Sequence, residues 1–421
     1  MKKSLLSEEI WDVIVIGGGA SGMMAAGRAA EMGAKVLLLE KNESLGKKLL
    51  ITGGGRCNVT NAEEEVRKFL SKFKDSDKFL FSAFSQFAVK DALDFFHTRN
   101  METKVEALGR VFPITDSAKS VWDVLIQYLK NGKVTVKSKC PVIGLEKEEG
   151  KIIAVTLKGG EKIKAKSFIL STGGKSRPET GSTGDGFKFL SEIGHKVIEP
   201  KASLVPIKSD ESWIKRLQGV SVLDVKVTIL QNNVKQESKI GKILFTHFGL
   251  SGPTILNLSS TISELLKYGE VFLSLDILPS YDPGVLNAKL QEIFKSESNK
   301  KIKNSLDALI HSALVPVVLE LAGVNPDTQN NSVTRENRLK LIQTLKNIQL
   351  KVSGLLGLEK AVITSGGVDL REVDFKTMSS KLYPNLYITG DILNIDRPTG
   401  GYSLQLCWTT GYIAGSNTTK F

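Results

Sequence analysis

The chain has 421 residues, of which 41% are hydrophobic and 24% charged, with a formal net charge of +12 and an isoelectric point near 9.3. This length predicts two or three domains and a core large enough to enclose a sizeable ligand. No stretch approaches the ~18 to 20 continuous apolar residues of a membrane span, so a transmembrane protein is not expected.

Two features predict a cytoplasmic location. Polar and acidic residues interrupt the basic N-terminal segment MKKSLLSEE before it develops the apolar run of a signal peptide. The three cysteines, Cys57, Cys140 and Cys407, have neither disulfide nor metal-ligand spacing, which fits a reducing compartment and predicts no metal site.

The positive charge is concentrated in residues 151–250, which contain 17 Lys and Arg against 9 Asp and Glu. Such a bias suits RNA, an anionic cofactor or acidic metabolites, and it equally suits a solvated basic surface without a partner. The sequence contains no recognised RNA-binding signature that decides between these alternatives.

The first forty residues predict a β-α-β unit. An apolar run over 12–16 is followed by helical spacing over 20–32 and by a second apolar run over 35–39. Further periodic segments predict helices over 62–73, 79–96 and 117–130, and strands over 133–145, 152–157 and 165–171.

The secondary-structure pattern of the sequence changes twice in the middle of the chain. Short β runs begin near residue 201, helical periodicity replaces them after residue 282, and strand patterns return over 360–373. The predicted fold is α/β: a nucleotide-binding domain, residues 1–198 and 352–421, is interrupted by a β module over 199–281 and a helical module over 282–351.

The first β-α-β unit contains a dinucleotide fingerprint, G-x-G-x-x-G, placed directly after a strand and at a helix start. Gly17 permits the tight turn, Gly19 lets a pyrophosphate approach the main chain, and Gly22 allows close helix packing. Ala20 and Ser21 complete the phosphate-binding helix start. Glu40, at the end of the second strand, is predicted to accept hydrogen bonds from the ribose of an adenosine.

The C-terminal region favours FAD over a nicotinamide as the resident cofactor. A strand ends in Gly390-Asp391, where a carboxylate suits the ribityl or phosphate region of FAD. The segment Gly400-Gly401-Tyr402-Ser403 then offers bare backbone and a helix start to the flavin ring. The strand that opens into Thr172-Gly173-Gly174 is a third predicted contact, and no second fingerprint for NADH or NADPH is present.

The segment ITGGGRCNVTN, residues 51–61, is predicted to continue the cofactor site. Its glycines bring main-chain N–H groups close, and its polar side chains supply donors. The predicted contacts of this segment are Gly54, Gly55, Arg56, Asn58 and Thr60. Lys41, Lys48 and Val142 are also predicted to contact the cofactor.

With GGGASG, TGGGRCNVTN, GRVFP, LFTHFGLSGP, SGGVDLREVD and TGDILNIDRPTGGYSLQ in this order, the chain resembles the HI0933-like flavoproteins over nearly its whole length. The resemblance implies a FAD-binding Rossmann-like domain interrupted by a β-barrel-like module and a helical module. It also implies an oxidoreductase, in a family whose members are described as NAD(P)/FAD-dependent oxidoreductases, aminoacetone oxidases, bile-acid-transforming enzymes and reductases of a ribosomal RNA uridine. Arg397 stands where the commonest pattern of the family has glycine, and it is a candidate for recruiting an anionic or carbonyl-bearing substrate.

Two further residues are candidates for the chemistry. Cys57 is a candidate proton donor, because an ordinary thiol with a pKa near ~8.5 delivers a proton at neutral pH; the alternative is a small buried packing residue. His247 lies inside the LFTHFGLSGP motif and is either catalytic or structural.

Three functional hypotheses follow from the sequence. The chain is a flavin reductase that converts a ribosomal RNA uridine to dihydrouridine, a small-molecule oxidase or dehydrogenase, or a flavin-binding protein with a structural or regulatory role. NADH or NADPH is the candidate electron donor, acting at the flavin without a domain of its own.

Overall fold

The computed structural model describes residues 10–418, except the side chain of Lys74. The N-terminal segment that supports the expected cytoplasmic location therefore lies outside the described residues. The chain forms two compact units: the first combines the chain up to Ala202 with the chain from Ala361 onward, and the second is Ser203–Lys360.

From residue 10 onward, ten strands and seven α-helices precede the second unit. The strands are β1 (Trp11–Ile16), β2 (Val36–Leu39), β3 (Thr60–Asn61), β4 (Thr103–Glu106), β5 (Arg110–Pro113), β6 (Thr135–Lys137), β7 (Val142–Glu148), β8 (Lys151–Leu157), β9 (Lys162–Leu170) and β10 (Val197–Ser203). The helices are α1 (Ala20–Glu31), α2 (Lys47–Ile51), α3 (Val66–Leu70), α4 (Asp77–Phe84), α5 (Val89–His97), α6 (Ala118–Asn131) and α7 (Asp185–Glu192).

The second unit contains seven strands and five helices. They are β11 (Ile207–Lys208), α8 (Ser212–Arg216), β12 (Ser221–Gln231), β13 (Val234–Thr246), β14 (Gly249–Ser251), α9 (Pro253–Leu265), β15 (Val271–Asp276), α10 (Pro283–Ser296), α11 (Val315–Ala322), α12 (Arg335–Lys346), β16 (Ile348–Val352) and β17 (Gly354–Leu355). The first unit then resumes with β18 (Ile363–Val368), β19 (Val373–Asp374), β20 (Ser379–Ser380), β21 (Leu386–Ile388) and α13 (Tyr402–Asn417).

The central sheet of the first unit has the order β19-β20-β21-β9-β1-β2-β6. The pairs β21–β9, β9–β1, β1–β2 and β2–β6 are parallel. Strands covered on both faces need apolar residues throughout, and the WDVIVI sequence of β1 is almost entirely buried. The predicted β-α-β unit and Rossmann-type parallel sheet are therefore confirmed.

The second unit has one hydrophobic core, to which both its sheet and its helices contribute. Its sheet has the order β16-β15-β12-β13-β14-β11-β17, and all neighbouring strands are antiparallel. No pairing joins β16 to β17 within the described chain, so the sheet is open and does not close on itself.

The helix expected over 79–96 is two helices, α4 and α5, with a break between them. Side chains of α13 capture the carbonyl oxygens in this break, because Thr409 Oγ1 donates to Phe87 O at 2.9 Å and Gln405 Nε2 donates to Ala88 O at 3.1 Å. Asp91 then accepts from the Ala88 N–H at 2.7 Å and starts α5. The break therefore depends on residues more than 300 positions away.

The helices α1 and α13 pack with their backbones nearly in contact. A Cβ atom at Gly411 would lie 2.5 Å from Ser21 O, and one at Gly415 would lie 2.5 Å from Ala25 O. Contacts under 3.0 Å to backbone atoms cannot be accommodated without moving one helix. Two glycines one turn apart therefore fix the distance between these helices.

We predict that Gly415→Ala destabilises the protein by about 1 to 3 kcal/mol, because the new methyl group overpacks the contact between α1 and α13. Free energies of unfolding from urea denaturation measure this loss. Gly144→Ala is the matched control, since its Cβ would have no neighbour within 4 Å. Equal stability of the two variants would contradict the proposed tight contact.

Candidate cofactor and active site

A cleft lies at the carboxyl edge of the parallel strands in the first unit. The segments that follow β1, β2, β9 and β21 all contribute to its wall: residues 16–21, 39–42, 171–173 and Asp391. The chain leaves β1 towards β2 on one side, while β9 and β21 lie on the other, so the cleft is at a switch in strand order. This is where open α/β sheets bind their ligands.

The turn between β1 and α1 depends on glycine at two positions. Gly17 has φ +102°, and a Cβ there would lie 2.5 Å from Ser171 O. A Cβ at Gly22 would lie 1.9 Å from Gly17 O. Gly19, the N-cap of α1, has open space around its Cβ position and provides no side-chain acceptor for the first-turn N–H groups. These N–H groups and the helix dipole therefore suit a pyrophosphate.

Glu40 is buried at the end of β2 and fixed at both carboxylate oxygens. Oε2 accepts from the Gly18 N–H at 2.8 Å, and Oε1 accepts from the Asn42 N–H at 2.8 Å. Each oxygen has a second lone pair that a ribose hydroxyl can use. The same carboxylate thus links the glycine turn to the segment after β2.

A cluster of buried charges lies where β21 ends. Asp391 accepts a hydrogen bond from Arg397 Nη2, and Lys48 Nζ lies 3.5 Å from Asp391 Oδ2. The Arg397 guanidinium is inaccessible to solvent and also donates to Ser403 Oγ at 3.0 Å and Ile395 O at 2.7 Å. Burial acts to raise the pKa of the Asp391 carboxyl, but Arg397 and Lys48 hold this pKa below its ordinary value. Asp391 is therefore ionised at neutral pH.

The C-terminal glycines contact the segment predicted to continue the cofactor site. A Cβ at Gly401 would lie 2.2 Å from Thr60 O, and Asn61 Nδ2 donates to Gly400 O at 3.2 Å. Thr60 Oγ1 donates to Gln405 Oε1 at 2.7 Å. These contacts hold the start of α13 in place, and its residues Ser403, Leu404 and Cys407 line the cleft.

The cleft fits FAD, the cofactor predicted from the sequence. Thr172 lines it, and Thr172 Oγ1 is buried without a hydrogen-bond partner in the part of the chain that the structure describes. Such a group requires a ligand or water partner. Together with the open space at Gly19 and the fixed carboxylate of Glu40, this unpaired hydroxyl indicates an extended polar ligand along the whole edge.

The structure brings about half of the predicted cofactor residues to the cleft. Those that line it are Gly17, Gly19, Ala20, Ser21, Glu40, Lys41, Lys48, Val142, Thr172, Gly173, Asp391 and Ser403. Those placed elsewhere in the first unit are Gly22, Gly54, Gly55, Arg56, Asn58, Thr60, Gly174, Gly390, Gly400, Gly401 and Tyr402. Gly22 allows the close packing expected of it, and Gly174 and Gly401 also serve close packing, since a Cβ on each would collide with a neighbour.

Arg56 is bound to protein carboxylates. Its guanidinium donates to Asp116 Oδ1 through Nε at 2.9 Å and also pairs with Glu106. The guanidinium carbon lies 4.2 Å from the centroid of the Phe112 ring. These partners occupy the donors that the sequence analysis assigned to cofactor or substrate. The role predicted for Arg56 therefore requires these pairs to open.

Cys57 is fully buried and does not line this cleft. Burial raises the pKa of its thiol to about 12. The predicted role as proton donor relied on an ordinary thiol pKa, so the structure favours the packing alternative. The side-chain amide of the next residue, Asn58, has a buried Oδ1 without a partner among the described residues.

His247 and Arg397 are the other two candidates for the chemistry, and they lie in different surroundings. His247 is exposed and belongs to the second unit, where its ring contacts that of Phe248. Arg397 has its side-chain nitrogens bonded to Asp391, Ser403 and Ile395. Arg397 therefore orients Asp391, Ser403 and the Ile395 carbonyl group within the first unit.

Sequence reasoning missed one whole segment of the cleft wall and several single residues. The segment that contains Thr180, Gly181, Ser182, Asp185 and Phe189 lines the cleft, as do Cys140, Val362 and Cys407. The run ETGSTGDGF, rich in Gly, Ser and Thr, was the available signal for the first group. Lys41 Nζ is bound to this segment through Asp185 Oδ2 at 2.7 Å.

None of the helices in residues 10–418 is both long and apolar enough to cross a membrane. No group of three or more His, Cys, Asp or Glu residues in residues 10–418 is arranged to hold a metal ion.

Comparison with known proteins identifies relatives over the full length. The family model described as HI0933-like protein Rossmann domain matches residues 11–417. The ribosomal RNA dihydrouridine synthase of Escherichia coli strain K12 is 32% identical over 97% of this chain and 98% of its own. The 3-dehydro-bile acid delta(4,6)-reductase of Clostridium scindens is 30% identical over 95% of this chain and 97% of its own.

Solved structures share the fold at low identity. The 3-ketosteroid delta1-dehydrogenase of Sterolibacterium denitrificans superposes with a TM-score of 0.57 at 14% identity, covering 97% of this chain and 99% of its own. A flavocytochrome c3 fumarate reductase gives a TM-score of 0.56 at 17% identity, covering 98% of this chain and 78% of its own.

We predict that Arg397→Met costs about 3 to 5 kcal/mol of stability at pH 7, because it leaves the buried Asp391 with only the more distant Lys48. Burial then raises the carboxyl pKa above its ordinary 3.8, so folding disfavours the ionised form and the loss grows as pH rises from about 4 to 7. Urea denaturation at several pH values measures this trend.

The control for this variant is Arg216→Met, which removes a pair with Glu320 whose side chains are about half exposed. Its loss is expected to be within about 1 kcal/mol. If the loss of stability in Arg397→Met is constant between pH 4 and 7, the ionisation of Asp391 is not its cause.

We predict that iodoacetamide at pH 8 modifies Cys140 before Cys57 and Cys407, because burial raises the pKa of the last two thiols to about 12. Added FAD should slow the reaction of Cys140 and Cys407, which line the cleft, and leave Cys57 unchanged. Peptide mass spectrometry gives the order, with urea-unfolded protein as the control in which all three react. Rapid labelling of Cys57 would disprove its burial.

Proposed function

Because the chain belongs to the HI0933-like family of FAD-dependent oxidoreductases, we propose that it reduces a uridine of ribosomal RNA to dihydrouridine. The observation that carries the proposal is the 32% identity, over 97% of this chain, to a ribosomal RNA dihydrouridine synthase. A second synthase of this name, from Haemophilus influenzae, is 27% identical over 95% of this chain.

Different residues of the cleft are assigned to different parts of the cofactor. The first turn of α1 and Gly17–Gly19 would hold the pyrophosphate, and Glu40 would accept hydrogen bonds from the adenosine ribose. Asp391, with Lys48, would contact the ribityl end, and the first turn of α13 would present its N–H groups to the ring. FAD, when bound there, supplies two-electron hydride chemistry.

Arg397 acts in this proposal as a positioning residue. Its contacts with Asp391 and Ser403 join the end of β21 to the first turn of α13. It therefore sets the distance between Asp391 and Ser403, two residues that line the cleft. Its guanidinium also neutralises Asp391, which makes an ionised carboxylate tolerable inside the protein.

Reduction of the uracil C5=C6 bond adds a hydride to one carbon and a proton to the other. We assign the supply of electrons to NADH or NADPH, which reacts at the cofactor without a separate domain. The proton comes from solvent or from a substrate-facing acid other than Cys57, because a thiol with a pKa of about 12 is a poor donor at neutral pH.

A second candidate is the reduction of a small molecule. It is favoured by the 30% identity to a bile acid reductase over 95% of this chain. Both relatives' names describe the saturation of a carbon–carbon double bond, so the two candidates share one chemistry and differ in the substrate.

The test compares ribosomal RNA from a strain that lacks the gene with RNA from the parent strain. We predict that dihydrouridine disappears from one position in the deletion strain and returns with the wild-type gene, as measured by nucleoside mass spectrometry. Gly19→Val, which fills the open space at the start of α1, should bind no FAD and restore nothing. Gly144→Val, with equally open surroundings outside the cleft, is the matched control and should restore the modification.

An unchanged dihydrouridine content in the deletion strain would reject the RNA function. Oxidation of NADH or NADPH by the purified holoenzyme in the presence of a conjugated steroid enone would then support the second candidate.

A further inference from the structure

The tip of the hairpin formed by β4 and β5 carries a leucine that the protein leaves in solvent. The tip is the segment Ala107–Gly109, and Leu108 is 82% exposed, the largest exposed fraction of any large apolar residue in the described chain. Its φ of +63° lies in the left-handed region, which is unfavourable for every residue except glycine. Strain and an exposed apolar side chain both oppose folding, and such costs are typical of functional positions.

Hydrogen bonds hold this tip beside the start of α13. Asn61 Nδ2 donates to Leu108 O at 3.0 Å and to Gly400 O at 3.2 Å. Gly400 precedes the N-cap of α13, so a single amide group joins the tip to the first turn of this helix. Gly109 has φ +70°, and a Cβ there would lie 2.9 Å from Asn61 Oδ1. Leu108 is therefore held close to the end of the cleft that α13 lines.

Ion pairs fix the hairpin to its surroundings. Arg56 pairs with Glu106 at the end of β4 and with Asp116, which follows β5. Asp116 also accepts from Lys104 Nζ at 2.5 Å. The strands themselves belong to a small antiparallel sheet of the order β3-β5-β4. The tip is therefore a fixed projection that carries Leu108 at its end.

An available cation stands at the base of the projection. Arg110 begins β5, opposite Asn61 of β3 and Glu106 of β4, and its Nε donates to Ala107 O at 3.1 Å. Glu106 is bound to Arg56, and in the part of the chain that the structure describes no carboxylate lies within 4 Å of the Arg110 guanidinium. The two Nη groups of Arg110 are therefore available to a phosphate, which a guanidinium binds well.

We propose that Leu108 is a wedge that unstacks the reacting uridine of an RNA and that Arg110 binds a phosphate beside this uridine. The inference rests on the proposed reduction of ribosomal RNA, in which the first turn of α13 faces the flavin ring. A stacked base reaches such a ring only after it leaves the stack, and proteins open base stacks by inserting apolar side chains such as leucine. A small-molecule substrate has no stack to open, so the wedge belongs to the RNA candidate alone.

The test compares two RNAs as substrates of the FAD-loaded enzyme after reduction with dithionite, which replaces the natural electron donor. One RNA is a folded ribosomal RNA fragment with the uridine in its stem, and the other is a single-stranded oligonucleotide with the same sequence around the uridine. Leu108→Ala should lower the single-turnover rate on the folded RNA about 10-fold or more and on the oligonucleotide less than about 2-fold, because free bases need no unstacking. Nucleoside mass spectrometry measures the dihydrouridine formed.

Three further variants separate the wedge from a structural role. Leu108→Met keeps a long apolar side chain and should retain most of the rate on the folded RNA. Leu108→Gly should be as slow as Leu108→Ala there, yet unfold at a higher urea concentration, because glycine adopts this φ without strain. Leu382→Ala is the matched control, since Leu382 is 46% exposed just before β21, at the edge of the sheet opposite the cleft. It should match the wild type on both RNAs.

The phosphate contact is tested by the salt dependence of binding. Arg110→Met should weaken the binding of both RNAs and reduce the slope of log K against log salt concentration by about 1, as expected for one lost phosphate contact. Lys158→Met is the charge-matched control, since Lys158 is exposed in the turn between β8 and β9. An unchanged slope in Arg110→Met would remove Arg110 from the proposal.

Slowing confined to the folded RNA would support the wedge. Equal slowing on both RNAs, or slowing on neither, would overturn it, as would wild-type activity on the oligonucleotide alone. The content of bound FAD should be the same in all Leu108 variants, because Leu108 does not line the cleft; a loss of FAD would assign Leu108 to the cofactor. Absence of dihydrouridine from both RNAs with the wild-type enzyme would reject the proposed function itself, and the wedge with it.

Discussion

The first unit depends on the backbone contact between α1 and α13. Gly411 and Gly415 allow α13 to approach Ser21 and Ala25 more closely than any side chain permits. This contact brings the last helix of the described chain beside the first one, so the phosphate-binding turn and the segment from 390 to 403 face the same cleft. A cofactor site assembled from both ends of the sequence requires this approach, because the N-terminal part supplies most of the wall and the C-terminal part supplies Asp391, Ser403, Leu404 and Cys407.

The buried charges at the end of β21 are the second constraint. An ionised carboxylate inside a protein is costly unless it is paired, and Asp391 is paired with both Arg397 and Lys48. The pairing fixes the loop between β21 and α13, because Arg397 is bonded both to Asp391 at the end of β21 and to Ser403 in the first turn of α13.

Patterns formed by residues close together in the sequence predicted the local structure without the coordinates. The apolar strand, the glycine turn and the acidic residue after β2 predicted a β-α-β unit with a phosphate site, because φ above zero and close packing restrict Gly17 and Gly22 to glycine. The strand endings at Thr172 and Asp391 were predicted as cleft residues by the same reasoning, and both line the cleft. The segment around Asp185 was missed, since a Ser, Thr and Gly cluster resembles an ordinary turn.

The sequence by itself therefore determined the Rossmann-type architecture, the family and the FAD-binding edge, because each depends on residue type at short, fixed spacing. Only the tertiary structure decided which partner each polar side chain has. Arg56 is bound to Glu106 and Asp116, Cys57 is buried, and Asp396 has an oxygen without a donor among residues 10–418. Hydrogen bonding and burial are set by residues tens to hundreds of positions away, and no local pattern records those neighbours.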